Sequence, residues 1–192
     1  MKVILLLLFL SICVYADEEG KAGQQANYYF NSQTGTMIVN GFRGIYSFRE
    51  TTDRPWQSIT PLIKHLKISG SVTSVGIVAF MLCENLQTLE IGEMVQYLDT
   101  QSFYGCTSLK SIVLPSNVLV IYPFALSMCT SLSSIVISGN LISGSSAFSK
   151  SRLNNYRNSL LLNFQSKQLL KCLQEFRKAE QILEIYPTSC SS

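Results

Sequence analysis

Apolar residues return every 23 positions from residue 63 to residue 137 without a slip. Ile63, Leu86, Leu109 and Leu132 form one column, Leu66, Leu89, Ile112 and Ile135 a second, and Ile68, Ile91, Leu114 and Ile137 a third. Val72, Val95, Val118 and Leu141 continue the pattern, followed by Val75, Leu98 and Ile121, and by Phe80, Phe103 and Leu126. Cys83, Cys106 and Cys129 complete it. In segments such as 109–114 the last three residues alternate in, out, in, which is the period of a strand. Gly92 or Pro115 then ends the strand, because proline cannot donate to a ladder and glycine tolerates the turn. Residues 118–121 read as a second short extended piece. Residues 100–103 and 123–126 are too short for a free helix and predict one helical or 3₁₀ turn. The small residues Ala79, Ser102 and Ala125 share a column where that turn lies close to its neighbour. Such a unit cannot bury its apolar side alone, so the units must stack.

Repeats of 20 to 29 residues with this apolar spacing are the signature of a leucine-rich solenoid. The expected fold class is therefore a β-rich leucine-rich repeat solenoid of stacked 23-residue coils. Short parallel strands and short 3₁₀ or helical turns make up each coil, and an N-terminal β-hairpin caps the stack. The hairpin is read from Tyr28, Tyr29 and Phe30, a polar turn at 31–35, and Met37, Ile38 and Val39, because aromatic and β-branched residues flank turn formers. Residues 17–26 are polar and aperiodic and read as a flexible lead-in. Gly41, Gly44 and Arg54-Pro55-Trp56 are expected to break regular structure, with Trp56 a wedge in the cap rather than a ligand platform.

Residues 1–16 carry a basic Lys2, an apolar run over 3–14, and small residues at Val14 and Ala16 before the acidic Asp17. This is the pattern of a secretory signal peptide cleaved after Ala16, and the run is too short for a membrane anchor. The expected organisation is a signal peptide at 1–16, a cap at 17–61, repeats at 62–142, and a degenerate repeat with a C-terminal hairpin or helical cap at 143–192. In the hairpin reading, Ile182 to Pro187 would open another repeat and the chain would be truncated.

The charge balance adds little. Past residue 16 the chain has 14 basic and 12 acidic residues, a net +2, which argues against nucleic acid or an anionic membrane as the main partner. Five cysteines remain there, Cys83, Cys106, Cys129, Cys172 and Cys190, and an odd number leaves at least one thiol free or intermolecular. The three repeat cysteines are expected to pack as small hydrophobes rather than pair. With a single histidine, the chain offers no metal-ligand spacing, so no metal or other cofactor is expected.

The motifs Val72-Thr73-Ser74-Val75-Gly76, Ala79-Phe80-x-x-Cys83-x-x-Leu86 and Phe103-x-Gly105-Cys106-Thr107-Ser108-Leu109-Lys110-Ser111-Ile112-Val113-Leu114-Pro115 resemble those of the BspA-like leucine-rich repeat proteins of microbial surfaces. The turn at 34–36, the break at Gly41 and the Pro55-Trp56 pair are also similar, and the resemblance covers residues 28–142. It implies an extracellular, non-catalytic protein that binds host proteins, matrix or other cells. The sequence departs from asparagine-laddered repeats, because the third position after the strand is Ser71, Met94, Asn117 and Asn140.

Candidate chemistry is sparse. His65 would have to serve any Ser-His-Asp or Cys-His arrangement, yet it sits at an outward strand position. Glu84, Glu90, Glu93 and Asp99 occupy different sides of one repeat and suit solvated surface better than paired acid–base work. What remains is the outward strand face, with His65, Thr88, Ser111 and Ser134 in one column and Lys67, Glu90, Val113 and Val136 in another. These eight are the candidate binding residues, with extracellular protein or host-cell and matrix ligands as expected partners. A structural module that self-associates through an uncapped end is the alternative. A secreted hydrolase is a remote one.

Overall fold

The computed structural model describes residues 17–155, apart from 140 and 145. The expected leader, the C-terminal hairpin or helix, and Cys172 and Cys190 lie outside the described residues. The strands are β1 (Glu18–Lys21), β2 (Gln25–Asn31), β3 (Thr36–Gly44), β4 (His65–Ile68), β5 (Ser71–Val75), β6 (Thr88–Ile91), β7 (Tyr97–Leu98), β8 (Ser111–Leu114), β9 (Val120–Ile121), β10 (Ser134–Ile137) and β11 (Ile142–Ser143). Short 3₁₀ turns occupy Thr51–Asp53, Thr60–Leu62 and Arg152–Asn155.

Two parallel ladders run along the stack. One is β3-β4-β6-β8-β10, the other β3-β5-β7-β9-β11. Leu66 pairs with Leu89 and Ile112 with Ile135, so the repeat period becomes a stacking register and the apolar columns become ribs along the core, buried except at Ile91 and Ile137, which are half-buried. The last coil is one residue short. β10 sits 23 residues beyond β8, whereas Ile142 pairs with Val120, so the deletion falls between the two ladders and leaves both intact.

The strand β3 belongs to both ladders. Its first half pairs with β4 from Thr36↔His65 to Val39↔Ile68, and its second half pairs with β5 from Phe42↔Ser71. Gly41, at φ 142°, stands between the halves. The strand therefore turns at this glycine instead of ending there, correcting the expectation of a break. The lead-in is also ordered. β1 pairs antiparallel with β2 from Glu18↔Phe30 to Lys21↔Asn27, and Ala22 and Ala26 are buried. Edge pairing through backbone groups needs no apolar side chains, which is why this polar segment carries no strand signal.

A third set of bonds joins the coils opposite the ladders. Phe80 N–H donates to the Ser102 carbonyl, Phe103 to Ala125 and Leu126 to Ala147, each at 2.8 Å. Between them run 3₁₀-type bonds such as Cys83 to Phe80 and Tyr104 to Gln101. Alternating the two patterns requires positive φ at equivalent positions, namely Val78, Gln101 and Phe124, then Leu82, Gly105 and Met128. A left-handed non-glycine residue costs roughly 1–2 kcal/mol. Inter-coil bonds from Val78, Leu82, Gln101, Gly105 and Met128 hold those residues there.

Aromatic rings stack through the core along the same side. Trp56 and Phe80 lie 5.4 Å apart at 16°, and Phe80 and Phe103 lie 5.5 Å apart at 12°. Trp56 occupies the place a preceding coil's phenylalanine would take, and its Nε1 donates to the Ala79 carbonyl at 3.0 Å. The cap thus continues the repeat core by shape, one residue out of the 23-residue phase.

Ser102 is fully buried in the small-residue column between Ala79 and Ala125. Its Oγ is the one buried side-chain polar atom without a hydrogen-bond partner among the described residues. Ser102→Ala is expected to raise stability by about 1 kcal/mol, since an unmet buried hydroxyl costs that order of free energy. A lowered urea midpoint would contradict this.

Candidate functional site

The strand face is built by alternation. On β4, Leu66 and Ile68 point into the core, which turns His65 and Lys67 outward, and β6, β8 and β10 repeat the arrangement. Parallel register then brings all eight predicted residues onto one face. His65 aligns with Thr88, Lys67 with Glu90, Glu90 with Val113, and Ser111 and Val113 with Ser134 and Val136.

Two contacts organise the first half of this face. His65 Nδ1 and Thr88 Oγ1 lie 2.8 Å apart. Lys67 Nζ meets Glu90 Oε2 at 2.9 Å, with the two side chains 52% and 68% exposed. At that exposure the pair is worth under about 1 kcal/mol and leaves both charges open to a partner. The second half is uncharged, with Val113 57% and Val136 44% exposed beside the exposed Ser111 and Ser134. Charge therefore gives way to valine and serine along one continuous sheet.

The cap extends the face, which the repeat columns alone did not indicate. Thr36 aligns with His65 and Ile38 with Lys67, and Tyr29 of β2 lies beside Ile38. The Tyr29 hydroxyl donates to Asp17 Oδ2 at 2.8 Å, and the Ser32 N–H donates to Oδ1 at 2.8 Å. The Ser32 amide foremost, and then Tyr29, hold the Asp17 carboxyl below its ordinary range. The available signal was the in-out alternation of Met37, Ile38 and Val39, which matches that of β4.

The cysteine column is interior. Cys83, Cys106 and Cys129 are free and buried. Cys106 Sγ donates to the Phe80 carbonyl at 3.4 Å, and Cys129 Sγ donates to that of Phe103 at 3.3 Å. Burial pushes the Cys83 thiol up to about 12 and raises Cys106 as well, so neither is a thiolate at neutral pH. The acidic residues are dispersed. Glu90 is on β6, Glu84 lines a cleft beside the cap, and Asp99 follows β7 in the other ladder.

Stacked coils, two parallel ladders and apolar ribs along the core define a leucine-rich repeat protein. The family described as BspA type Leucine rich repeat region matches residues 58–173 in six copies. The chain belongs to that family, whose repeat is generally non-catalytic. A leucine-rich repeat protein of Eubacterium ventriosum is 14% identical over 65% of this chain and 45% of its own, with a TM-score of 0.48. The T. pallidum leucine-rich repeat protein is 24% identical over 69% of this chain and 67% of its own, at 0.47. A leucine-rich cell surface protein of Faecalibacterium prausnitzii is 23% identical over 62% and 39%, at 0.33. The chain thus spans less than half the length of the first and the third. No curated protein matches the sequence. Among the described residues, no helix is long and apolar enough to cross a membrane.

Proposed function

We propose that this chain is a secreted or surface-held recognition module that binds an extracellular protein partner across the face of β3, β4, β6, β8 and β10. The observation that carries this reading is the register itself, which assembles the outward columns into one sheet face from Thr36 to Ser134. Solenoids use extended faces of this kind to hold partners. The charged first half would set the partner's orientation, and Val113 and Val136 in the uncharged second half would supply desolvated contact. Membership in the BspA type supports a surface location. Residues 1–16 carry the pattern of a signal peptide, and a secreted product starting elsewhere than Asp17 would overturn that processing.

The test is saturable binding of the fluorescently labelled chain to intact cells. Val113→Arg combined with Val136→Arg is expected to weaken binding at least tenfold, through lost apolar contact and repelled charge. Gln96→Arg, on the other ladder, is expected to leave it unchanged. Equal loss in both variants, or no saturable binding by the parent chain, would defeat the proposal.

A further inference from the structure

The outward residues of the strand face also form a line that runs across the strands, through cap and coils alike. Tyr29 pairs with Ile38, Ile38 with Lys67, Lys67 with Glu90, Glu90 with Val113 and Val113 with Val136. Residues paired across a ladder point to the same face, and all six of these are exposed. Two apolar residues, a cation, an anion and two further apolar residues therefore stand in order, one per strand. With strands about 4.8 Å apart, the line is about 24 Å long. Two places along the same strands lies a second line, Asn31, Thr36, His65, Thr88, Ser111 and Ser134, which is polar throughout.

The first line is its own complement. Reversed about the gap between β4 and β6, it keeps its apolar ends and exchanges its two charges. A two-fold axis parallel to the strands, passing over that gap between two facing sheets, performs this reversal. It sets Lys67 of one copy opposite Glu90 of the other, Ile38 opposite Val113, and Tyr29 opposite Val136. The same axis sets His65 opposite Thr88, Thr36 opposite Ser111, and Asn31 opposite Ser134. The flanking lysines stay apart, because Lys64 meets Gln87 and Lys110 meets Gly35. Glu19, which pairs with Tyr29 from β1, falls beyond the last facing pair and so lies at the rim. No like charges oppose each other anywhere along the two lines.

We propose that this face pairs with a second copy of the chain in an isologous, two-fold dimer. The inference rests on the strand face being a recognition surface and names one occupant for it. A foreign protein would need the reverse order of charge and apolar surface built into it, whereas a second copy already carries that order. Six strands of about four residues present roughly 380 Å² per copy, given strand and residue spacings of about 4.8 and 3.3 Å. Two copies thus cover roughly 750 Å², short of the ~1,200 Å² of a standard stable interface, so the dimer is a weak and concentration-dependent one.

Sedimentation equilibrium of the full chain from about 10 μM to about 1 mM, the range in which weak association is measurable, tests the assignment. A reversible monomer–dimer equilibrium is expected. Lys67→Glu and Glu90→Lys are each expected to weaken dimerisation at least tenfold, because each variant brings four like charges together on the axis. Both side chains are exposed, so both variants are expected to fold. An equimolar mixture of the two is expected to recover the lost association, since each then presents the opposite sign to the other. A parent chain monomeric throughout, a dimer that neither variant weakens, or a mixture no more associated than its components would each overturn the second copy as occupant. Saturable cell binding by a chain that stays monomeric would do the same while leaving the recognition face in place, with a different protein upon it.

Discussion

Phe80→Ala is expected to destabilise the chain by about 3–5 kcal/mol, the usual cost of truncating a fully buried phenylalanine. Phe80 is fully buried between Trp56 and Phe103, with ring centroids 5.4 and 5.5 Å away. The site cannot collapse onto the vacancy, because bonds from Val78, Phe80 and Leu82 to the next coil fix the backbone spacing. Both the cap–coil interface and the first coil–coil interface lose their central contact. In a solenoid, where stability is a sum over neighbouring interfaces, two weakened interfaces in series leave little holding the cap to the array. Total stabilities of about 5–15 kcal/mol make this a large fraction. Urea unfolding followed by the fluorescence of Trp56 would measure it, and a loss below about 1 kcal/mol would show that the ring stack is incidental.

Gly41→Val is expected to cost about 3–4 kcal/mol and to release the first two strands from the rest of the sheet, combining left-handed strain with a backbone clash. At φ 142° a β-branched residue is strongly disfavoured. A Cβ there would drive into the Gln25 carbonyl oxygen and come within 2.7 Å of the Ala26 Cα, both backbone atoms with no room to yield. Because β3 feeds both ladders, the damage is not confined to one turn. Hydrogen exchange should show Tyr28 and Phe30 losing protection while Ile112 and Ile135 keep theirs. Uniform loss of protection would mean that cap and coils unfold as one unit, and unchanged protection would contradict the role of Gly41.

The repeat core was legible because each stacking position is written several times. Ile63, Leu86, Leu109 and Leu132 occupy equivalent environments, so one burial requirement produced a column. The outward residues Lys67 and Glu90 were placed by the same arithmetic, since a parallel register turns sequence period into adjacency. Features occurring once were harder to read. The strand at Glu18–Lys21 is held by backbone pairing on an edge, and its side chains carry no trace of that. Trp56 continues the Phe80 and Phe103 stack one residue out of phase, hiding it from a column count. Arg54 looks like a surface residue, because its partners are carbonyls supplied by Met81 and Ala79 of the next coil. The positive φ of Val78 and Gln101 opposes local preference and is imposed by hydrogen bonds to Thr100 and Pro123, more than twenty positions away.

The bonds that join one coil to the next also bear on how the chain acquires its shape. Backbone hydrogen bonds between successive coils span about one repeat, as in Val78 to Thr100, Gln87 to Lys64 and Tyr122 to Leu98. Each coil therefore closes a loop of about the same length onto a surface already in place, at an entropic cost that does not grow as the array lengthens. Only the docking of β3 against β4 and β5 needs the cap first. A chain emerging N-terminus first would thus meet a finished template at every step, and its folding could keep pace with its delivery, coil by coil.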